Sequence, residues 1–211
     1  MSKKQMNKML YNRLLSYLRY MKQLPEDAPD NISSSMISAA LGIYDVQVRK
    51  DLALVSDKGK PKIGYIRKEL IQDIECFLGY DKFTEAAIVG VGNLGHALLS
   101  YENFEKYGLR IVAAFDTDPK LIGTTIGKTK VIDAEKISNL CERLGIRIGI
   151  ITVPSQHAQD VCDRLVQGGV KAIWNFAPID LQVPDDVIVK NEDLVASLAV
   201  LTRQLIEKSV L

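Results

Sequence analysis

The chain reads as an α/β protein in two parts. A small N-terminal winged helix-turn-helix precedes a Rossmann-like domain on a parallel sheet, and one helix remains at the C-terminus. Three observations predict this. The first 80 residues carry apolar side chains at helical spacing, broken by Pro25 and Pro29. From residue 86 onward, short apolar runs alternate with helical segments. The first such run leads directly into Gly90-Val91-Gly92-Asn93-Leu94-Gly95, the G-x-G-x-x-G spacing. The expected boundaries are 1–80 for the winged helix with its linker helix, 81–190 for the Rossmann-like domain, and 191–211 for the terminal helix.

The N-terminal elements follow in order. Met6 to Gln23 places Met6, Met9, Leu10, Leu14, Leu15, Leu18 and Met21 three and four residues apart, a helix with one apolar face. Ser33, Ser34 and Ser35 offer cap oxygens to a short helix, 35–41, which Gly42 ends. Asp45 is the expected cap of the next helix, 46–55. Lys58 to Tyr65 outlines a basic hairpin, and 66–78 a linker helix. In a winged helix-turn-helix the second helix of the pair enters the major groove. Gln47 there suits adenine; Arg49 and Lys50 suit guanine or phosphate. Lys58, Lys60, Lys62 and Tyr65 on the wing, with Ser33 and Ser34, complete the expected DNA face. Residues 1–68 hold 13 Lys/Arg against 6 Asp/Glu, whereas 69–211 hold 14 against 20. The overall +1 therefore conceals a basic head, as a polyanion partner requires.

In the second part, strands are expected at 86–90, 111–115, 129–132, 147–153, 171–175 and 186–189, and helices at 94–106, 133–144 and 155–167. Gly90 permits a tight turn, Gly92 lets the backbone approach a pyrophosphate, and Gly95 lets helix and strand pack closely. The helix N-terminus offers free N–H groups to phosphate. Asp116, ending the second apolar run, is placed to accept hydrogen bonds from both ribose hydroxyls. It would repel a 2′-phosphate, so NAD(H) is favoured over NADP(H). The last segment, 191–211, repeats Leu194, Leu198, Leu201 and Leu205 on one stripe. It can pack on its own sheet or reach a partner subunit.

Several classes are disfavoured. No apolar stretch approaches a membrane span, and the basic start has no following apolar core of a signal peptide. Cys76, Cys141 and Cys162 are odd in number, show no metal-ligand spacing and suit a reducing cytoplasm. A dehydrogenase would need a substrate domain and a proton relay beside the nicotinamide. No stretch is left for such a domain, and the two histidines are His96, on the phosphate side, and His157, nearer the cofactor. No nucleophile pair, triad or metal cluster has supporting spacing, so no catalytic residue is assigned. A nucleotide- or CoA-binding module without DNA is opposed by the basic helix.

Taken together, these segments resemble the Rex family of bacterial redox-sensing repressors. The matches are Gln47-Val48-Arg49-Lys50-Asp51-Leu52, Gly64-Tyr65, residues 90–95, Ala97-Leu98, residues 113–119, Thr152-Val153-Pro154, Asn175-Phe176-Ala177-Pro178 and residues 183–189. The resemblance implies a homodimer that binds operator DNA when NAD+ dominates and releases it when NADH accumulates. It implies a domain-swapped C-terminal helix inserted between the partner's two domains. It also implies cofactor contacts at Tyr101, near the nicotinamide, and at Thr152, Pro154, Asn175 and Phe176. Arg19 and Asp193 become a pair linking reading head to cofactor domain. The chain departs from the family pattern in three places. Ala53-Leu54-Val55-Ser56 follows the reading helix's Lys-Asp-Leu. Pro61-Lys62 replaces Arg-Gly in the wing. Leu194 stands where an aromatic often covers the nicotinamide.

Overall fold

The computed structural model describes residues 3–209 and divides into two compact units between Lys82 and Phe83. In the first unit, α1 (Lys3–Gln23) buries Leu14, Tyr17, Leu18 and Met21 against Ile37 of α2 (Ser34–Leu41), Val48 and Leu52 of α3 (Asp45–Val55), and Leu70 and Ile74 of α4 (Arg67–Leu78). The side chain of Met6, expected on the same stripe, lies outside the described residues. Ser33 caps α2, accepting from Met36 N, and Gly42 closes that helix with φ +66. Asp45 is not the cap of α3. Tyr44 holds the cap position without a side-chain bond, and Asp45 is the first helical residue, paired with Arg49 one turn on. Acidic residues favour the first turn as well as the cap, because both sit at the positive end of the helix. A two-residue pairing not anticipated from sequence, β1 (Asn31–Ile32) with β2 (Tyr65–Ile66), anchors the wing to the loop before α2.

The second unit is a seven-stranded sheet in the order β5-β6-β4-β3-β7-β8-β9. Its strands are β3 (Thr84–Val89), β4 (Leu109–Asp116), β5 (Thr125–Ile126), β6 (Thr129–Asp133), β7 (Ile148–Ile151), β8 (Ala172–Asn175) and β9 (Ile188–Asn191). All pairings are parallel except β5 with β6. The chain winds outward from β3 through β4 to β6, then returns to β7 and winds the other way. This reversal opens a crevice at the carboxyl ends of β3 and β7.

The two faces of the sheet are covered unequally. Ala87, Val89, Phe115, Ile151 and Ile173 point to one face, buried under α6 (Ile137–Leu144) and α7 (Ser155–Gln167). Ala86, Ile88, Ala114 and Ile150 point to the other, beneath α5 (Asn93–Leu99) and the partly buried Leu98, Leu99, Trp174 and Phe176. The helix expected over 94–106 ends at Leu99. Tyr101 is extended (φ −85, ψ 90), and a 3-10 turn follows over Glu102–Tyr107. Aromatic packing accompanies the break: Phe104 meets Tyr101 edge-on at 5.0 Å and Trp174 at 5.9 Å. The last helix, α8 (Leu194–Ser209), begins after β9 pairs with β8, with Asp193 accepting from Ala196 N at 2.8 Å. Val195, Leu198, Leu201 and Leu205 on it are 61–75% exposed. The side chain of Leu194 lies outside the described residues.

Candidate functional site: a dinucleotide cleft and a basic reading face

The three glycines of the β3–α5 turn have different demands on them. At Gly95 a Cβ would stand 1.9 Å from the Gly90 carbonyl oxygen, so helix and strand could not approach. Gly90 has φ +91, and a Cβ there would press on Val153 and Thr152 of the neighbouring strand's loop. Gly92 meets nothing within 4 Å. Its open side faces the crevice, which leaves the backbone accessible to a ligand rather than to packing. Asp116, ending β4, accepts from Val91 N at 2.6 Å and from Asp118 N at 2.9 Å. Its carboxylate is therefore fixed beside the glycine turn before any ligand arrives. Thr152 Oγ1 reaches both Gly90 O (2.6 Å) and Val89 O (3.0 Å), clamping the turn from the β7 side.

A cavity of about 430 Å3 opens here. It brings together Gly90, Gly92, Asp116, Thr152 and Pro154, with Leu121, Ile137, Val153 and Val161 as an apolar slot. His157, expected nearer the cofactor, lines it too, and sequence reasoning missed Asp160 and Arg164, which follow on successive turns of α7. Their i, i+3, i+7 spacing was the available signal. Val91, Asn93, Leu94 and Gly95 support the turn and do not line the cavity. Asn175 is fully buried, with its amide bonded to Ala177 O, Ile179 O and Asn191 Oδ1 and its carbonyl accepting from Ala177 N. It clasps the loop after β8, with every polar atom used. Tyr101 and Phe176 belong to the aromatic group on the opposite face, Phe176 lying 4.9 Å from Trp174.

On the first unit, a groove of about 540 Å3 gathers Ser33, Ser34, Arg49, Lys60, Lys62 and Tyr65. Lys60 N and O bond Gly64 O and N, closing the wing, and Ile63 N bonds Lys60 O. Pro61 thus stands second and Lys62 third in a tight turn. Lys62 has φ +66, alone among non-glycine described residues. Proline followed by positive φ marks a type II turn, whose third place normally holds Gly or Asn. Tyr65 packs its ring over Gly59, where a Cβ would fall 2.7 Å from the ring. Lys50, Lys60 and Lys62 are exposed, and their side chains make no hydrogen bond or ion pair among the described residues.

Three expected DNA-facing residues are engaged within the unit. Lys58 Nζ lies 2.8 Å from Asp73 of α4, which holds the ammonium pKa above its usual range. Arg49 pairs with Asp45, though it stays exposed. Gln47 Nε2 donates to Asp51 Oδ1 at 2.7 Å. Asp51 is 1% exposed and also receives Arg13 through both oxygens (2.6 and 2.8 Å) and Tyr17 OH (2.9 Å). Burial raises its pKa, but these donors outweigh burial and the carboxyl sits below its usual value. This network was not foreseen. Arg19 on α1 and Asp193 before α8 are both exposed, one on each unit.

A basic helix-turn-helix head and a dinucleotide cleft define a ligand-responsive DNA-binding regulator. Residues 8–53 match a family model described as a putative DNA-binding protein N-terminus, and 81–179 one described as a CoA binding domain. The redox-sensing transcriptional repressor Rex of Clostridium beijerinckii is 45% identical over 90% of each chain. That of Clostridium acetobutylicum is 41% identical over 95% of this chain and 94% of its own. Among solved structures, RSP in complex with NAD+ and operator DNA superposes with a TM-score of 0.90 at 39% identity, covering 96% and 94% of the two chains. RSP with NADH gives 0.84 at 38%, covering 100% and 96%. The chain belongs to the Rex family of redox-sensing transcriptional repressors, and its class is regulator, not enzyme.

Proposed function

We propose that this chain is a repressor that holds operator DNA with NAD+ or no ligand and releases it when NADH binds. The observation that carries the reading is the likeness to RSP bound to both NAD+ and operator DNA, extending over nearly the whole chain. The cleft fits a dinucleotide: Gly92 leaves space for pyrophosphate, Asp116 is fixed for the ribose, and the apolar slot suits adenine. When bound, the dinucleotide supplies one change of charge, on the nicotinamide ring. The protein converts it to release only if its two global states bind NAD+ and NADH with different affinity. A tenfold change in operator affinity needs about 1.4 kcal/mol of such difference.

The sites we assign are residues 90–95, Tyr101, Asp116, Thr152, Pro154, Asn175 and Phe176 for cofactor, several of them acting through loop geometry. Ser33, Ser34, Gln47, Arg49, Lys50, Lys60, Lys62 and Tyr65 face DNA, with Lys58 bracing the wing. Arg19 and Asp193 form the pair between head and cofactor unit. The homodimer is held by α8, whose exposed apolar stripe is too large to leave in water. It crosses to the partner as a swapped helix. Residues 1–80, 81–190 and 191–211 then act as reader, sensor and dimer clasp, in the cytoplasm. Gel shifts against operator-like duplex with NAD+ or NADH test this: NADH should release the DNA and NAD+ should not. Equal release by both would overturn the redox reading.

A further inference from the structure

The Asp51 network contains a chemical constraint on what α3 can read. An ionised carboxylate only accepts hydrogen bonds, and a carboxamide has one donor end and one acceptor end. Asp51 Oδ1 lies 2.7 Å from the Gln47 side chain. Turning the Gln47 carbonyl toward it would oppose two acceptors beside a buried carboxylate. The orientation of the amide is therefore set by Asp51, whose own position is set by Arg13 and Tyr17 on α1. Gln47 Oε1 accepts no hydrogen bond among the described residues and is not among the buried unpaired atoms, so it reaches solvent. Gln47 lies two residues before Arg49 and three before Lys50, at the N-terminal end of α3.

We propose that Asp51 is a positioning residue that makes Gln47 present its carbonyl oxygen to the major groove, and that Gln47 thereby selects adenine. This rests on the reading of α3 as the helix that enters DNA. Adenine offers an N6 amine to the outward carbonyl and N7 to the remaining amide hydrogen. Guanine offers two acceptors, O6 and N7, and would set O6 against Oε1. Cytosine offers an amine alone, and thymine a carbonyl. In Asp51→Asn the new amide can donate to Gln47 Oε1, so the Gln47 amide can turn over and present its amino group. The preference for adenine over guanine then disappears or reverses.

The test is selection from duplexes randomised across the binding site, using the full-length wild type, Gln47→Ala, Asp51→Asn and the double variant Arg13→Met/Asp51→Leu. The double variant replaces a buried ion pair with apolar groups of similar size, which often preserves stability. A melting curve reports that directly. Gln47→Ala should flatten preference at one base pair per half-site. There the wild type should favour adenine by about tenfold, within the range of a bidentate base contact. Asp51→Asn should lose that preference while other positions and the salt slope stay unchanged. The double variant, melting near wild type, should lose it as well. Guanine or thymine selected at the Gln47 position overturns the proposal, as does adenine retained by either Asp51 variant. A Gln47→Ala variant that alters no position does the same. If wild type binds no duplex in a salt-dependent way, the DNA-reading assignment of α3 falls with it.

Discussion

The cofactor cleft and the reading head are built from different materials. The cleft is made mainly of main chain: a glycine turn, strand ends, and one carboxylate held by two backbone N–H groups. In the head, charged side chains are held by one another, Arg13 of α1 to Asp51 of α3 and Lys58 of the wing to Asp73 of α4. A backbone-made site is limited by volume where the chain approaches itself, as at Gly95. A site made of paired charges tolerates reshaping but depends on every partner keeping its charge. Breaking each by its own weakness should separate the two functions.

The largest effect belongs to the glycine turn. Gly95→Ala forces a Cβ into the Gly90 carbonyl. It should cost about 3 kcal/mol, the upper end for overpacking, and abolish measurable NADH binding. Gly92→Ala meets open space. It should leave the melting temperature nearly unchanged while weakening NADH by calorimetry, because the added methyl occupies ligand space. Equal thermal loss in both variants would mean that Gly92 is structural too.

The head should fail in acid. The Asp51 carboxyl is held below its usual pKa when folded. Its contribution is therefore fully present above the unfolded value, near pH 4, and is lost as pH falls through the folded one. Asp51→Ala should remove it at neutral pH and leave Arg13 without its carboxylate, a loss of about 3 kcal/mol for a largely buried pair. Helical circular dichroism in acid should show the wild-type head unfolding before the sheet's near-ultraviolet signal from Trp174 changes. Simultaneous loss of both signals would deny the two units separate weaknesses.

These differences also decide what the sequence disclosed. Gly90, Gly92, Gly95 and Asp116 were legible because the demands on them are local and lie within one β-α-β segment. The role of Asp51 was not, because its partner Arg13 lies 38 residues away and helical periodicity marks only apolar faces. The Lys58–Asp73 pair was hidden for the same reason: a basic wing residue expected at DNA carries no sign of a carboxylate 15 residues on. The two-residue strands β1 and β5 are too short to show alternation. The end of α5 at Leu99 is accompanied by rings from residues 101, 104 and 174 meeting in space, which no local pattern announces.

Asp116 gives an intermediate effect. Asp116→Ala should weaken NADH by about 1.5–3 kcal/mol, the range for hydrogen bonds to a charged group, and narrow its advantage over NADPH. Since the same carboxylate holds Val91 N and Asp118 N, some loss reflects a loosened turn. Asp116→Asn retains acceptor capacity and removes the charge. It should keep most NADH affinity while gaining NADPH. An Asn variant as blind to NADPH as wild type would remove charge repulsion as the basis of selectivity.

The smallest effect lies at the wing tip, where both kinds of construction meet. Lys62 takes a left-handed backbone that costs an ordinary residue about 1–2 kcal/mol. Glycine adopts it freely but loses more entropy on folding, about 0.5–1 kcal/mol. Lys62→Gly should therefore stabilise the protein by only about 0.5–1 kcal/mol, a rise of roughly 1–4 °C for a chain of this size. If the exposed ammonium contacts phosphate, the same change should lower operator affinity and flatten its salt dependence by about one unit of slope. Strain retained at a functional position predicts this opposition of stability and binding. Lys60→Ala, two residues earlier at the start of the turn, supplies the control, because it removes a charge without relieving a left-handed backbone. It should flatten the salt slope with no gain in melting temperature. A Lys62→Gly variant that melts higher and binds operator with an unchanged slope would leave the strained lysine without a part in DNA binding.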